Sequence, residues 1–562
     1  GWNARLRARN FTKEELSKAI SYCHQNNVKA YITLNTVIFE EELQGVADYL
    51  ADIYSHGADA VILQDLGVAR LAKETGKDMQ IHASTQMSVH NSKTARMLKG
   101  FGFSRIVLAR ELSLEQVKRI KENSGLEVEV FVHGALCYSY SGRCLWSFYQ
   151  TGRSGNRGAC AQLCRFPWKI HCQGKNEDEK LKGYLTSTKD LNLLDKIPEI
   201  QNAGIDCVKI EGRLKDSRYV RDVVSKYRMK IDGIEPKWIA ATPRGYTGGY
   251  LFGDARANRL INPSAQRYSG ERIGKVISVS NTGATVQLYG RLRKGDSIRS
   301  SSSGKAIEVF RIYERGKDVK ESSERCMLKI KTLRKGDIVF KVQREELDEE
   351  YLKKIKPKIE RKASQPKLHR TDIGLEMKSL FFMNSKQKAA EAREGQLCIL
   401  PWEDADFESI KTIKERNATA CVDTPRIVFD EELPAVEKRM KELGEESSFM
   451  VSELSLLSGY PTYISHYANI TNTLAANEWV GFGKGTVKGI ISSVEVPCEK
   501  AKELGMMCYN GNRLELAISE NNWYKEFGIA GECELVDPRG NHYPIKTRNG
   551  RTVIMQPFKK KK

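Results

Sequence analysis

No apolar run in this 562-residue chain reaches the roughly 18 residues that a bilayer crossing requires, so the sequence predicts no membrane span. The opening GWNARLRARNFTKEEL is charged and lacks the apolar core of a signal peptide; a cytoplasmic location is the expectation. Catalytic signatures are scarce as well. There is no H-E-x-x-H, no G-x-S-x-G and no P-loop, and none of the nine histidines is paired at zinc-protease spacing. Acidic residues are in deficit. Asp and Glu number 71 against 91 Lys and Arg, a formal net charge of +20. A cytoplasmic protein so basic is expected to meet an anion, RNA being the commonest. The terminal PFKKKK reads as a solvated tail.

Cysteine is present in an odd number, thirteen, which fits a closed disulfide set poorly. In a reducing compartment, clustered thiols read as metal ligands or catalysts rather than staples. Four of them, Cys137, Cys144, Cys160 and Cys164, fall within 28 residues, separated by six, fifteen and three others. Thiolates are soft ligands that select zinc or an iron–sulfur cluster. Structural zinc favours pairs two to four residues apart, and only Cys160 and Cys164 comply. Irregular spacing favours iron–sulfur; zinc and uncommitted thiols stay open. Arg143, Arg153, Arg157 and Arg165 punctuate the loop, and either offset thiolate charge or bind phosphate. Its glycines either bring N–H groups to sulfur or merely turn the chain.

The first 220 residues alternate apolar runs with amphipathic stretches. Strand candidates are KAYITLN (29–35), DAVILQD (59–65), MQIHAST (79–85), SRIVLAR (104–110), VEVFVHG (128–134) and DCVKIEG (206–212), with GYLTSTKDL (183–191) either strand or loop. Alternating β and α predicts a parallel sheet, and the short units suit a TIM-like (β/α) barrel. Six clear units are present where closure needs eight, so the first one or two are expected to be absent. This barrel is assigned to 1–236 and a small antiparallel β-barrel to 237–344, its strands falling in 270–344. A charged linker with room for one helix spans 345–372, and a second, degenerate β/α barrel-like domain 373–562. Strand candidates in the last include WVGFGKG and GMMCYNGN. The second half weakly echoes the first: IVLARELSLEQ (106–116) faces IISSVEVPCEK (490–500), and FVHGALCYSYSGRC (131–144) faces CYNGNRLELAISENN (508–522). Cys137 and Cys144 then meet Leu514 or Glu515 and Asn521 or Asn522, so the second copy is read as having lost the metal site.

In such barrels the carboxyl ends of the strands carry the site. Polar residues recur there, and His82, Gln86, Arg110, Glu111, His133, Lys209, Glu211 and Arg213 are the candidates for contacts to substrate.

EVFVHGALCYSYSGRCLWS (129–147) followed by NRGACAQLCR (156–165) closely resembles the signature of the peptidase U32, "collagenase-like", family. ASTQMSVHNS (83–92), VLARELSLEQ (107–116), STKDLNLLDKIPE (187–199) and VKIEGRLK (208–215) resemble its flanking blocks. The long, duplicated members resembled here hydroxylate a cytidine of large-subunit ribosomal RNA, and shorter ones a uridine of transfer RNA. The resemblance implies a 4Fe–4S cluster on Cys137, Cys144, Cys160 and Cys164, with Cys172 and Cys207 in reserve for the fourth ligand. It also implies oxygen insertion without molecular oxygen, prephenate as oxygen donor, RNA as partner and an electron-donor protein. Asn192 stands where relatives often carry a further cysteine. The competing readings are a U32-type peptidase and a non-enzymatic, zinc-containing RNA-binding protein.

Overall fold

A computed structural model of the chain describes every residue except 1, 5, 7–9, 174–180, 213–214, 216, 237–243, 254–256, 264–270, 303–306, 343–360, 369–372, 384, 512–513 and 558–562. The first half is a parallel α/β sheet. Its strands are β1 (Tyr31–Leu34), β2 (Ala60–Leu63), β3 (Gln80–Ala83), β4 (Arg105–Val107) and β5 (Glu127–Ala135), paired in that order. All of β2 is buried, as a strand covered on both faces must be. Helix α1 (Lys13–Gln25) precedes β1, and α2 (Leu43–Ser55), α3 (Leu66–Thr75), α4 (Ser92–Phe101) and α5 (Leu114–Ser124) intervene between the strands. On α2 the residues Leu43, Val46, Ala47, Leu50 and Tyr54 form one buried stripe. Ser113 and Gln116 make a capping box that starts α5, and Gly125 ends it in the left-handed conformation.

Four further strands follow β5. β6 (Trp168–Cys172) and β7 (Lys182–Gly183) follow the cysteine loop, β8 (Asp190–Asn192) joins the upper end of β5 antiparallel, and β9 (Cys207–Ile210) lies parallel to β5. The ambiguous GYLTSTKDL segment thus contributes the end of β7, a loop and the start of β8. All six clear strand candidates of the first half are strands. Among the described residues the sheet is an open path with β1 at its edge.

Antiparallel strands between Glu271 and Val342 enclose their own core, with Ile273, Val286, Ile298, Ile312 and Val339 buried. The helix allowed for in the linker lies outside the described residues. The part of the linker that is described crosses the first half: Arg361 N–H donates to the Ser55 carbonyl and Ser364 N–H to the Thr75 carbonyl, satisfying the last residues of α2 and α3.

The second half holds six parallel strands in sequence order: β10 (Leu380–Phe382), β11 (Leu397–Pro401), β12 (Thr419–Asp423), β13 (Ser448–Val451), β14 (Thr462–Ile464) and β15 (Val487–Ile490). WVGFGKG is not a strand. Trp479–Phe482 closes a helix, α6 (Thr473–Phe482), whose start is capped by the Asn472 side chain. A short apolar run has no period of its own, and the preceding TLAANE decides it. GMMCYNGN contributes a lone bridge, Met507 to Ile491.

The C-terminal stretch departs from β/α alternation. β16 (Glu515–Ser519), β17 (Cys533–Val536), β18 (His542–Arg548) and β19 (Arg551–Met555) are antiparallel, and β17 pairs with β6 from the first half. Trp146, Trp168, Leu516, Leu535 and Tyr543 are buried in their shared core. Cys172 and Cys533 are cross-strand partners there and form a disulfide, and Cys498 bonds to Cys508. These four are paired, whereas the clustered Cys137, Cys144, Cys160 and Cys164 are free thiols. Among the described residues no helix is long and apolar enough to cross a membrane.

Candidate functional site

The register of the first sheet sets the site. His82 lies opposite Arg105, and Arg105 opposite Glu127. Side chains two apart on a strand share a face, so Glu129 and Phe131 continue that of Glu127. Arg105 Nη2 donates to Glu127 at 2.7 Å, and its Nη1 reaches Glu129 at 3.4 Å. Lys209 Nζ on β9 lies 2.7 Å from the other oxygen of Glu129. Tyr31 packs edge-on against His82, with ring centroids 4.9 Å apart, and takes the Arg105 guanidinium on its face. Burial, then the charge of Arg105, pulls the His82 imidazole down to about 4, so the ring is neutral near pH 7.

This network reaches the cysteine loop through one side chain. The Arg110 guanidinium sits 4.0 Å from the centre of the Phe131 ring, and its Nη1 lies 3.6 Å from Cys137 Sγ. The Arg110 Nε is buried without a hydrogen-bond partner, and Arg110 has no carboxylate partner among the described residues. Arg105 and Lys209 are already neutralised by glutamates; Arg110 is not.

Cys137 and Cys160 are exposed, Cys144 and Cys164 half-buried. The four thiols share one neighbourhood. Burial pushes Cys144 up, and Cys160, Cys164 and Cys137 push the same way. Burial pushes Cys164 up to about 12; Arg165 opposes it, and Cys160 and Cys137 add to it. Thiols so placed give up their protons when a metal takes them. Among the described residues no group of three or more His, Cys, Asp or Glu stands at the spacing of a closed metal site. The quartet is a set of four soft thiols near cationic Arg110 and Arg165, the donor type that an iron–sulfur cluster takes.

The second half holds the loop in place. Tyr140 N–H donates to the Ile518 carbonyl and Leu145 N–H to Leu516, which ties both flanks of the Cys137–Cys144 turn to β16. Gly142 adopts φ +74°, and a Cβ there would fall 2.0 Å from the Gln86 carbonyl oxygen, so only glycine lets the loop lie on this backbone. Arg143 is buried and donates to the Ser452 and Tyr467 carbonyls. Arg157 pairs with Glu42, and Arg165 donates to the Leu136 carbonyl and Thr188. Arg143 and Arg157 are thus neither counter-charges to sulfur nor phosphate readers; they bind protein.

Of the sequence candidates, His82, Arg110 and Lys209 come together. Glu111 instead accepts from Ser141 N–H at 3.1 Å and anchors the loop. His133 is buried, bonded to Tyr219 at 2.9 Å and held at about 4 by burial. The Gln86 carbonyl lies against Gly142, and Glu211 lies against Gly134. Arg213 lies outside the described residues. Cys172 is in a disulfide, and Cys207 stands with Glu129 and Arg105, so neither reserve cysteine joins the quartet. Sequence reading missed Tyr31, Arg105, Glu129 and Phe131. The pattern EVEVF carried a signal, because acids alternating along a core strand share an inward face.

The sequence profile of Peptidase family U32 matches residues 1–259. An uncharacterized protease of Methanocaldococcus jannaschii is 40% identical over 300 residues, 49% of this chain and 73% of that protein. The 23S rRNA 5-hydroxycytidine synthase of Escherichia coli is 33% identical, over 50% of this chain and 45% of that enzyme. The tRNA hydroxylation protein P1 of Bacillus subtilis is 36% identical over 41% of this chain and 56% of its own length. The matches to these two RNA-modification proteins therefore span about half of each. A solved U32 peptidase overlaps 28% of this chain and 62% of its own at 16% identity, with a TM-score of 0.23.

Proposed function

The chain belongs to peptidase family U32, and from that premise we propose that it hydroxylates a pyrimidine base of RNA without molecular oxygen, ribosomal cytidine first and transfer-RNA uridine second. The observation that carries this reading is the thiol quartet set against the unpaired Arg110. Relatives named for RNA hydroxylation support it, as does the net charge of +20.

Cys137, Cys144, Cys160 and Cys164 would hold a 4Fe–4S cluster, which when bound supplies one-electron redox chemistry. Arg110 would bind a carboxylate of the oxygen donor, a dicarboxylate of the prephenate kind, beside Cys137. Phe131 and Tyr31 bring aromatic rings to the site, each carrying a guanidinium on one face. Neutral His82 can donate or accept a hydrogen bond without adding charge. Glu129 holds Arg105 and Lys209 in fixed positions. An electron-donor protein would set the redox state of a bound cluster.

A second reading, peptidase, is favoured by a Porphyromonas gingivalis relative named collagenase, 31% identical over 71% of its length. The hydrogen bonds of His90 and His133 run to the Ser88 carbonyl and to Tyr219, not to a serine or cysteine nucleophile. The test is purification without oxygen, iron and sulfide analysis, and comparison of modified nucleosides in RNA from wild-type and deletion cells. Four irons per chain and loss of a hydroxylated pyrimidine are expected. Unchanged nucleosides, or peptide cleavage that survives iron removal, would overturn the reading. So would colourless protein with one zinc.

A further inference from the structure

The second half, read as having lost its site, retains a cavity of about 250 Å³ beyond the carboxyl ends of β10, β11, β12 and β14. It is lined by Phe382, Asp423, His466, Tyr467, Tyr509 and Glu515, among others. His466 is 2% exposed, and neither of its ring nitrogens has a hydrogen-bond partner. Its ring lies between those of Tyr467 and Tyr509, at centroid distances of 3.9 and 4.1 Å. Phe382 stands edge-on to both His466 and Tyr509. A buried imidazole with two idle nitrogens is costly unless something else satisfies it.

Of the two carboxyl groups Glu515 and Asp423, only Glu515 is committed to cations. Glu515 is held by Arg426 at 2.8 Å and by Arg548, so both its oxygens are taken. Arg426 in turn lies flat over Tyr467 at 3.5 Å. Asp423 has no hydrogen bond to its carboxyl group among the described residues. Burial pushes that group up to about 7, with Arg548 and Arg426 pulling down and Glu515 and Glu403 pushing up. Near neutral pH it can therefore both donate and accept. The cavity thus presents aromatic rings, a two-sided imidazole and a carboxyl group able to meet an amino–imino edge.

We propose that this cavity binds an unpaired nucleobase-type heterocycle, at a site separate from the cysteine loop. The volume suits one base with part of its sugar, the rings supply stacking, and His466 and Asp423 supply hydrogen bonds. A base could arrive as a free nucleoside or as one residue of an RNA strand.

The test titrates the full-length protein, by calorimetry, with cytidine, uridine, adenosine and guanosine, and with a single-stranded RNA oligonucleotide of mixed sequence. Saturable binding of at least one probe is expected. His466→Phe keeps the ring and removes the nitrogens; Asp423→Asn keeps the size and removes the acid. Each should weaken binding at least tenfold with the melting temperature unchanged. Equal affinity for nucleoside and oligonucleotide identifies a free ligand, and binding of the oligonucleotide alone identifies RNA; both uphold the chemistry. No saturable binding of any probe, or affinity unaltered in both variants, overturns the proposal. Binding abolished by Cys137→Ser but indifferent to both variants overturns it too, by assigning the ligand to the first half.

Discussion

Asn91 and Asn472 make matching hydrogen bonds in opposite directions between the two halves of the molecule. Asn91 Oδ1 caps α4 at Thr94 N–H, and its Nδ2 donates to the Val428 carbonyl at 2.8 Å. Asn472 Oδ1 caps α6 at Ala475 N–H, and its Nδ2 donates to the Ile38 carbonyl at 2.8 Å. The next residues repeat the match: Ser92 bonds to Asp430 through its N–H and hydroxyl, and Thr473 likewise to Glu40. The two halves meet as the subunits of a two-fold dimer do, each surface serving in both roles.

Asn91→Ala or Asn472→Ala should each lower the unfolding free energy by about 2–3 kcal/mol, since each removes a helix cap and a buried inter-half hydrogen bond. Urea denaturation of the two variants measures this. A cost from one without a similar cost from the other would show that the symmetry is not energetic.

Arg143→Met should cost about 3–5 kcal/mol, because it leaves Glu453 buried without its cation. Adding Glu453→Gln to that variant should restore part of the loss. A double variant as unstable as the sum of the singles would place the cost in packing instead.

His82 and His133 are both held at about 4, against about 6.5 in an unfolded chain. The folded protein binds fewer protons than the unfolded one between those values. The stability this contributes is present above pH 6.5 and is lost as pH falls to about 4, by roughly 3 kcal/mol per histidine. Denaturation midpoints measured from pH 4 to 8 should rise and then level off. His82→Phe and His133→Phe should each flatten that slope.

The Cys172–Cys533 bond joins residues 361 apart in sequence. Cys172→Ser should lower the stability of oxidised protein by about 2–5 kcal/mol and leave reduced protein little changed. Melting curves with and without a thiol reductant read the difference.

Much of the parallel architecture was legible. KAYITLN, DAVILQD and SRIVLAR are short apolar runs, and helices with a buried stripe separate them; their strands formed as expected. The crowding of four cysteines into one loop was legible from spacing, and so was the position of His82, Arg110 and Lys209 on or just after strands. WVGFGKG was misread because an apolar run without period takes the conformation of its neighbours. The pairing of β6 with β17 was not readable, because its two segments lie in opposite halves of the chain. Arg143 and Arg157 looked like members of a thiol site because they flank cysteines; their guanidinium groups reach instead to Tyr467 and Glu42.

The sequence alone determined the local elements, the net positive charge and the presence of four soft donors in one loop, since periodicity, capping and composition act over a few residues. The tertiary structure decided which thiols became staples and which stayed free. It decided that the Arg110 guanidinium, without a carboxylate partner among the described residues, lies against Cys137, and that the cysteine-poor half clamps the cysteine-rich one. Those outcomes depend on which distant segments share a buried surface, and that is settled when the two halves pack together.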